Sequence, residues 1–114
     1  MLFADRTQLN RLFTNLLQNA VEACANRDQR IIRMNEQLNG ENIIVSVTDN
    51  GEGIPEQTQS RIFTPNFTTK TSGTGLGLAM SKGIVEQAKG EIWFVTKEGA
   101  GTTFYVKIPL LRAN

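Results

Sequence analysis

Leu9, Leu12, Phe13, Leu16, Leu17, Ala20 and Cys24 recur at intervals of three and four residues, which makes the single apolar stripe of a long helix. Asp5 or Thr7 is placed to cap its start, and the turn chemistry of Asn-Arg-Asp-Gln ends it near Asn26. Residues 1–4 are too few for more than the tail of a strand. Two strands, 30–38 and 42–49, flank Asn39-Gly40, a hairpin-turn dipeptide. In the second strand Ile43, Val45, Val47 and Asp49 share a parity and therefore a face. Residues 50–74 are rich in Gly, Pro, Thr and Ser and predict a long connection with one helical turn around 56–62. A connection of that length inside a compact domain is usually functional. A second helix is predicted over 75–89, stopped by Gly90, and strands 91–97 and 102–109 pair as a hairpin across 98–101. The order of elements predicts an α+β fold, a two-layer sandwich with its helices on one sheet face.

Composition narrows this picture rather than changing it. At 114 residues the chain is one domain, able to bury roughly two thirds of its unfolded surface. A net charge of +1 gives no general attraction to nucleic acid or to an anionic membrane, so a bound anion must be held by local geometry. Cys24 has no partner for a disulfide. It reads either as a small core residue or as a reactive thiol, and its place on the apolar stripe favours the core. No signal peptide is visible and no apolar run reaches the ~20 residues that cross a bilayer. These features describe a cytoplasmic-type domain. The chain also contains no histidine.

Three segments carry candidate chemistry. On a helix Asn15, Asn19 and Glu22 fall within roughly 60° of one another. Gln8 and Arg11 share that stripe, so periodicity alone reads it as a solvated face. The alternative is that an Asn oxygen near a phosphate ligates Mg²⁺, an ion that takes oxygen donors and keeps several waters. The run DNGEGIP (49–55) can be a plain turn that ends a strand. Yet Asp49 ends a core-facing row, and a carboxylate there needs donors. An adenine amino group is one, and Gly51 and Gly53 let the backbone approach a flat base. Gly73, Gly75 and Gly77 fit no dinucleotide fingerprint, because 68–72 is not a strand. They fit no P-loop either, since the run ends Gly77-Leu78-Ala79 without Gly-Lys-Ser/Thr. What remains is a flexible loop without a ligand, or a glycine-rich lid leading into a helix N-terminus that favours phosphate. Lys70 adds a point charge beside that lid, and Phe63 and Phe67 read as core anchors rather than ligand contacts, placed to pin its upstream end. Taken in order, the blocks point to a site that holds ATP without a P-loop.

With these blocks in hand, the chain resembles the catalytic and ATP-binding (HATPase) domain of bacterial sensor histidine kinases, within the GHKL superfamily. The resemblance spans nearly the whole chain: an asparagine box at 15–20, a first glycine box at 49–53, a phenylalanine box at Phe63 and Phe67, and a second glycine box at 73–77. GAGTTF at 99–104 matches the family's last glycine-threonine element, and FTTK at 67–70 is most similar to nitrogen-regulation-type sensors. The resemblance implies a Bergerat-type ATP-binding fold with helices on one face of a mixed, mostly antiparallel sheet. It implies that Asn19 ligates Mg²⁺, that Asp49 accepts the adenine amino hydrogen bond, and that Thr102 supports the base through water. Gly51, Gly53 and Ile54 belong to the same implied contact set. Lys70, Gly73, Thr74, Gly75, Leu76, Gly77 and Leu78 would cover the triphosphate, with Asn15 and Glu22 on its phosphate side. Asn66 departs from the aromatic that related kinases usually carry there. The family's domain normally begins with more sheet, which implies an N-terminally truncated fragment of a larger kinase.

The implied activity is transfer of the γ-phosphoryl of Mg-ATP to a histidine on a separate dimerisation domain, through which a response regulator is then served. By the same resemblance the fragment is a monomer that touches neither nucleic acid nor membrane, within a parent that can be anchored in the inner membrane. No residue of this chain is assigned as catalytic; Asn15 supports chemistry on the phosphate side. Hydrolytic superfamily members and anti-sigma serine kinases usually carry Glu at the position of Asn15. A carboxylate can take a proton from water or serine, whereas an amide cannot. Transfer to an imidazole lone pair needs no such base. The alternatives are a stand-alone anti-sigma-type serine kinase and a non-catalytic nucleotide-binding docking module.

Overall fold

The apolar stripe at the start of the chain winds into helix α1, Arg6–Ala23, and its buried side is Leu12, Leu16 and Ala20, with Cys24 just beyond. The structure, a computed structural model, describes residues 6–64 and 77–109. Thr7 lies inside α1 and so does not cap it, and Asp5 is outside the described residues. So is the strand tail expected at 1–4.

Strands β1 (Ile32–Asn39) and β2 (Asn42–Asp49) form the expected hairpin, one residue out of the predicted phase. Asn39 pairs with Asn42, so the two-residue loop is Gly40-Glu41 rather than Asn39-Gly40. Gly40 takes φ 63 at the first loop position, the place where a two-residue hairpin of the primed type admits glycine. A 3₁₀ turn over Glu56–Arg61 occupies the expected helical turn. Helix α2 spans Gly77–Gln87 and strands β3 (Glu91–Lys97) and β4 (Gly101–Pro109) close the chain. The end of α2 differs from expectation. Lys89, not Gly90, adopts the left-handed conformation at φ 64. Its amide donates to Glu86 O, and the Gly90 amide reaches back to Val85 O at 2.9 Å, the paired bonds of a Schellman ending.

The four described strands stand in the order β1-β2-β4-β3, and every described pairing is antiparallel. Helices α1 and α2 pack together on one face, α1 chiefly over β2 and α2 over β3 and β4. Val45 and Val47 of β2 and Phe104, Val106 and Ile108 of β4 meet Leu12, Leu16, Ile84, Val85 and Ala88 in one core. This is the two-layer sandwich the pattern predicted. In β1, at the sheet edge, Ile32 packs against the core, while Met34 and Leu38 of the same parity stay 48% and 68% exposed. Phe63 packs at 6.0 Å from Phe94 and 6.3 Å from Phe104, so the expected anchor on the sheet is present.

Candidate functional site

Asp49 is the last residue of β2 and sits on the helix-facing row after Val45 and Val47, 5% exposed. Across the ladder its partner is Thr102 of β4, also 5% exposed. Burial of a carboxylate demands donors, and Asp49 Oδ1 accepts the amides of Gly51 at 2.8 Å and Thr102 at 3.3 Å. Two bonds to one oxygen fix the plane of the carboxyl group. Beside it runs a hydroxyl chain: Thr102 Oγ1 and Thr96 Oγ1 are 2.8 Å apart, and Thr96 Oγ1 accepts the Ile54 amide at 2.9 Å. Ile54 is itself packed against the core.

The glycines after Asp49 press against protein backbone. A Cβ on Gly51 would stand 2.4 Å from Ala23 O, at the end of α1. Gly53 has φ 77, and a Cβ there would stand 2.4 Å from Lys97 O. The close approach read from the sequence as room for a base is, in the structure, room for α1 on one side and the β3–β4 turn on the other. The Glu52 amide donates to Ala23 O, and Glu52 O accepts the Gly99 amide.

Contact between Gly51 and Ala23 places Asp49 at the C-terminal end of α1. With a rise of about 1.5 Å per residue, Asn19 and Asn15 lie about 6 and about 12 Å back along the axis. Asn15, Asn19 and Glu22 are each half-buried rather than fully solvated. The Asn15 Nδ2 atom is buried and has no hydrogen-bond partner among the described residues. Glu22 lies one turn beyond Gln18, whose amide reaches Oε2 at 3.5 Å. Among the described residues no three His, Cys, Asp or Glu side chains cluster as metal ligands. Of the second glycine box, Gly77 opens α2 and Leu78 packs against the core. Asn66, Phe67, Lys70, Gly73, Thr74, Gly75 and Leu76 lie outside the described residues.

Three residues not singled out from the sequence hold this end of the sheet. Asn50 bonds through its side chain to the Ile31 amide, Gln29 O and the Cys24 thiol. Arg27 reaches three backbone carbonyls, and Thr96 holds Ile54. Asn50 sits inside DNGEGIP, so its turn chemistry is a usable signal; Arg27 and Thr96 carry none. Cys24 is fully buried and donates to Asn50 Oδ1 at 3.2 Å, in keeping with a core cysteine.

Known proteins resemble this chain in sequence and fold. Residues 4–112 match the family described as histidine kinase-, DNA gyrase B-, and HSP90-like ATPase. Sensor histidine kinase ZraS of Escherichia coli is 41% identical over 94% of this chain and 23% of its own length. Sporulation kinase E of Bacillus subtilis is 34% identical over 96% of the chain and 15% of its own. The chain thus spans less than a third of the curated relatives it matches. The solved catalytic domain of histidine kinase ThkA superposes with a TM-score of 0.81 at 40% identity, over 93% of this chain and 68% of that one. Among the described residues no helix is long and apolar enough to cross a membrane. The chain belongs to the histidine kinase-type ATPase family, whose fold its helices and antiparallel sheet reproduce.

Proposed function

We propose that this chain binds Mg-ATP and donates its γ-phosphoryl to a histidine on a separate dimerisation domain of a two-component sensor kinase. The observation that carries the reading is the buried carboxylate of Asp49, oriented by two amides and set opposite Thr102. A carboxylate held in this way selects a purine that offers an exocyclic amino group. Thr102 supports the base, and Gly51, Gly53 and Ile54 shape the wall beside it. From there α1 leads the phosphates toward Asn19 and Asn15. Lys70, Gly73, Thr74, Gly75, Leu76, Gly77 and Leu78 cover the triphosphate.

The residues present fit a magnesium ion. Asn19 would offer an amide oxygen as the protein ligand, with Glu22 beside it on the phosphate side of α1, and nucleotide and water oxygens would complete the shell such an ion prefers. When bound, the ion neutralises charge on the β- and γ-phosphates. Asn15, an amide, removes no proton. None has to leave for the step: the imidazole lone pair forms the P–N bond while the bridging P–O bond breaks and its electrons go to ADP. The ring keeps its proton on the other nitrogen until solvent takes it.

The similarity to named sensor kinases supports a dimerisation domain as partner and a response regulator beyond it. The FTTK run at 67–70 supports a nitrogen-regulation-type parent, although ZraS and sporulation kinase E carry other names. The net charge of +1 supports a chain that touches neither nucleic acid nor lipid, whether or not its parent is membrane-anchored. A cytoplasmic monomer completes the reading, because the dimer interface of such kinases is expected on the dimerisation domain. Mixing the chain with its dimerisation domain and γ-labelled Mg-ATP tests the proposal. Label on the histidine is expected, and an unlabelled histidine in the presence of bound nucleotide overturns it.

A further inference from the structure

The carbonyl of Asn50 and the amide of Gly51 belong to one planar peptide unit. Its N–H donates to Asp49 Oδ1 at 2.8 Å, and its oxygen accepts Arg27 Nε at 2.9 Å. The two ends of this peptide are therefore held by opposite charges, and rotating it breaks both bonds together. Bonds in such a chain polarise one another and strengthen the pair. Arg27 does more: its Nη2 donates to Gly51 O at 2.9 Å and to Gly99 O in the β3–β4 turn. One guanidinium thus spans the loop after Asp49 and the turn against which Gly53 is packed. The side chain of Asn50 fastens the same loop from its other side, through Ile31, Gln29 and Cys24.

We propose that Arg27 is a positioning residue for base recognition: through the Asn50–Gly51 peptide it fixes the Asp49 carboxylate for a 6-amino purine. This deepens the reading of Asp49 as the partner of adenine and rests on it. A planar fork suits this role, since its Nε and Nη2 donors are held in fixed geometry toward carbonyls on two segments, whereas an ammonium gathers its donors on one atom at the end of a flexible stem. Arg27→Lys therefore keeps the charge and loses the geometry.

The test compares ATP with ITP, which carries a 6-oxo group in place of the amino group, each titrated with Mg²⁺ against the wild-type chain, Arg27→Lys and Arg27→Gln. Wild type is expected to prefer ATP. In the variants ATP binding should weaken roughly tenfold while ITP binding stays within about twofold, so the preference collapses. A variant that keeps the wild-type ATP-to-ITP ratio overturns the role of Arg27 alone. A wild-type chain with no preference overturns the Asp49 reading and this proposal with it. A second readout needs no nucleotide: the Gly51 amide proton, bonded to a carboxylate, should resonate downfield in wild type and move upfield in both variants. If Arg27→Gln does not fold, Arg27→Lys carries both measurements, and an unmoved Gly51 resonance there counts against the proposal.

Discussion

Asp49 and Thr102 face each other across β2 and β4, and the Thr102 amide donates to the Asp49 carboxylate at 3.3 Å while Gly51 donates to the same oxygen. The pair couples the end of one strand to the start of another, so the orientation of the carboxylate is a property of the sheet rather than of a loose side chain.

Asp49→Asn separates recognition from folding. An asparagine oxygen still accepts both amides, so stability should fall by about 1 kcal/mol or less. The other oxygen becomes an NH₂ group, which faces a purine amino group donor to donor. ATP affinity should drop roughly 10- to 100-fold. Calorimetric titration beside a thermal melt checks both halves, and unchanged affinity removes Asp49 from the base site.

Two glycines should respond in opposite senses. Gly51→Ala forces a methyl group to within 2.4 Å of Ala23 O, where only backbone can yield. About 1–3 kcal/mol of stability should be lost. Gly83 lies on the exposed side of α2 with nothing near its missing Cβ. Gly83→Ala should add about 0.5–1 kcal/mol by lowering the entropy lost in the helix. Denaturant melts of the two variants decide this, and a destabilised Gly83→Ala chain contradicts it.

Thr96→Val is isosteric and suits a strand, yet it removes the acceptor for the Ile54 amide and the neighbour of the Thr102 hydroxyl. An amide left unpaired in a part-buried place costs about 1–3 kcal/mol. Thr96→Ser keeps the oxygen and should retain most of the stability. Equal melting temperatures for the Val and Ser variants would show that the hydroxyl chain contributes nothing.

Much of this arrangement is legible in the amino-acid sequence. The three-and-four spacing of Leu12, Leu16 and Ala20 marks which side of α1 is buried, and the parity of Val45, Val47 and Asp49 puts the carboxylate inside. Both signals are local, carried by residues within one element. Arg27 is not legible, because its partners Asn50, Gly51 and Gly99 lie up to 72 positions away and are backbone carbonyls that any sequence supplies. Gly51 and Gly53 stand out by their spacing, but the reason for them does not, since tight approach of Ala23 and Lys97 has no sequence signature. The hairpin slips by one residue from its expected phase because Gly40 can serve either loop position, and the pairing of Asn39 with Asn42 settles the choice.

Asn15 offers the sharpest separation of stability from activity. Its Nδ2 is buried with no hydrogen-bond partner among the described residues, an arrangement that costs about 1–3 kcal/mol. An asparagine kept only for packing would gain from replacement by a shape-matched apolar residue. Asn15→Leu is therefore expected to leave the melting temperature unchanged or raise it, by up to roughly 4–8 °C per kcal/mol recovered in a domain near this size. If Asn15 serves the phosphates as proposed, phosphoryl transfer to the dimerisation domain should fall in the same variant. Functional sites commonly give up stability in this way. The two measurements are a thermal melt without nucleotide and a single-turnover transfer assay. A variant that transfers at the wild-type rate would assign Asn15 to the scaffold and leave Asn19 as the residue of α1 that serves the phosphates.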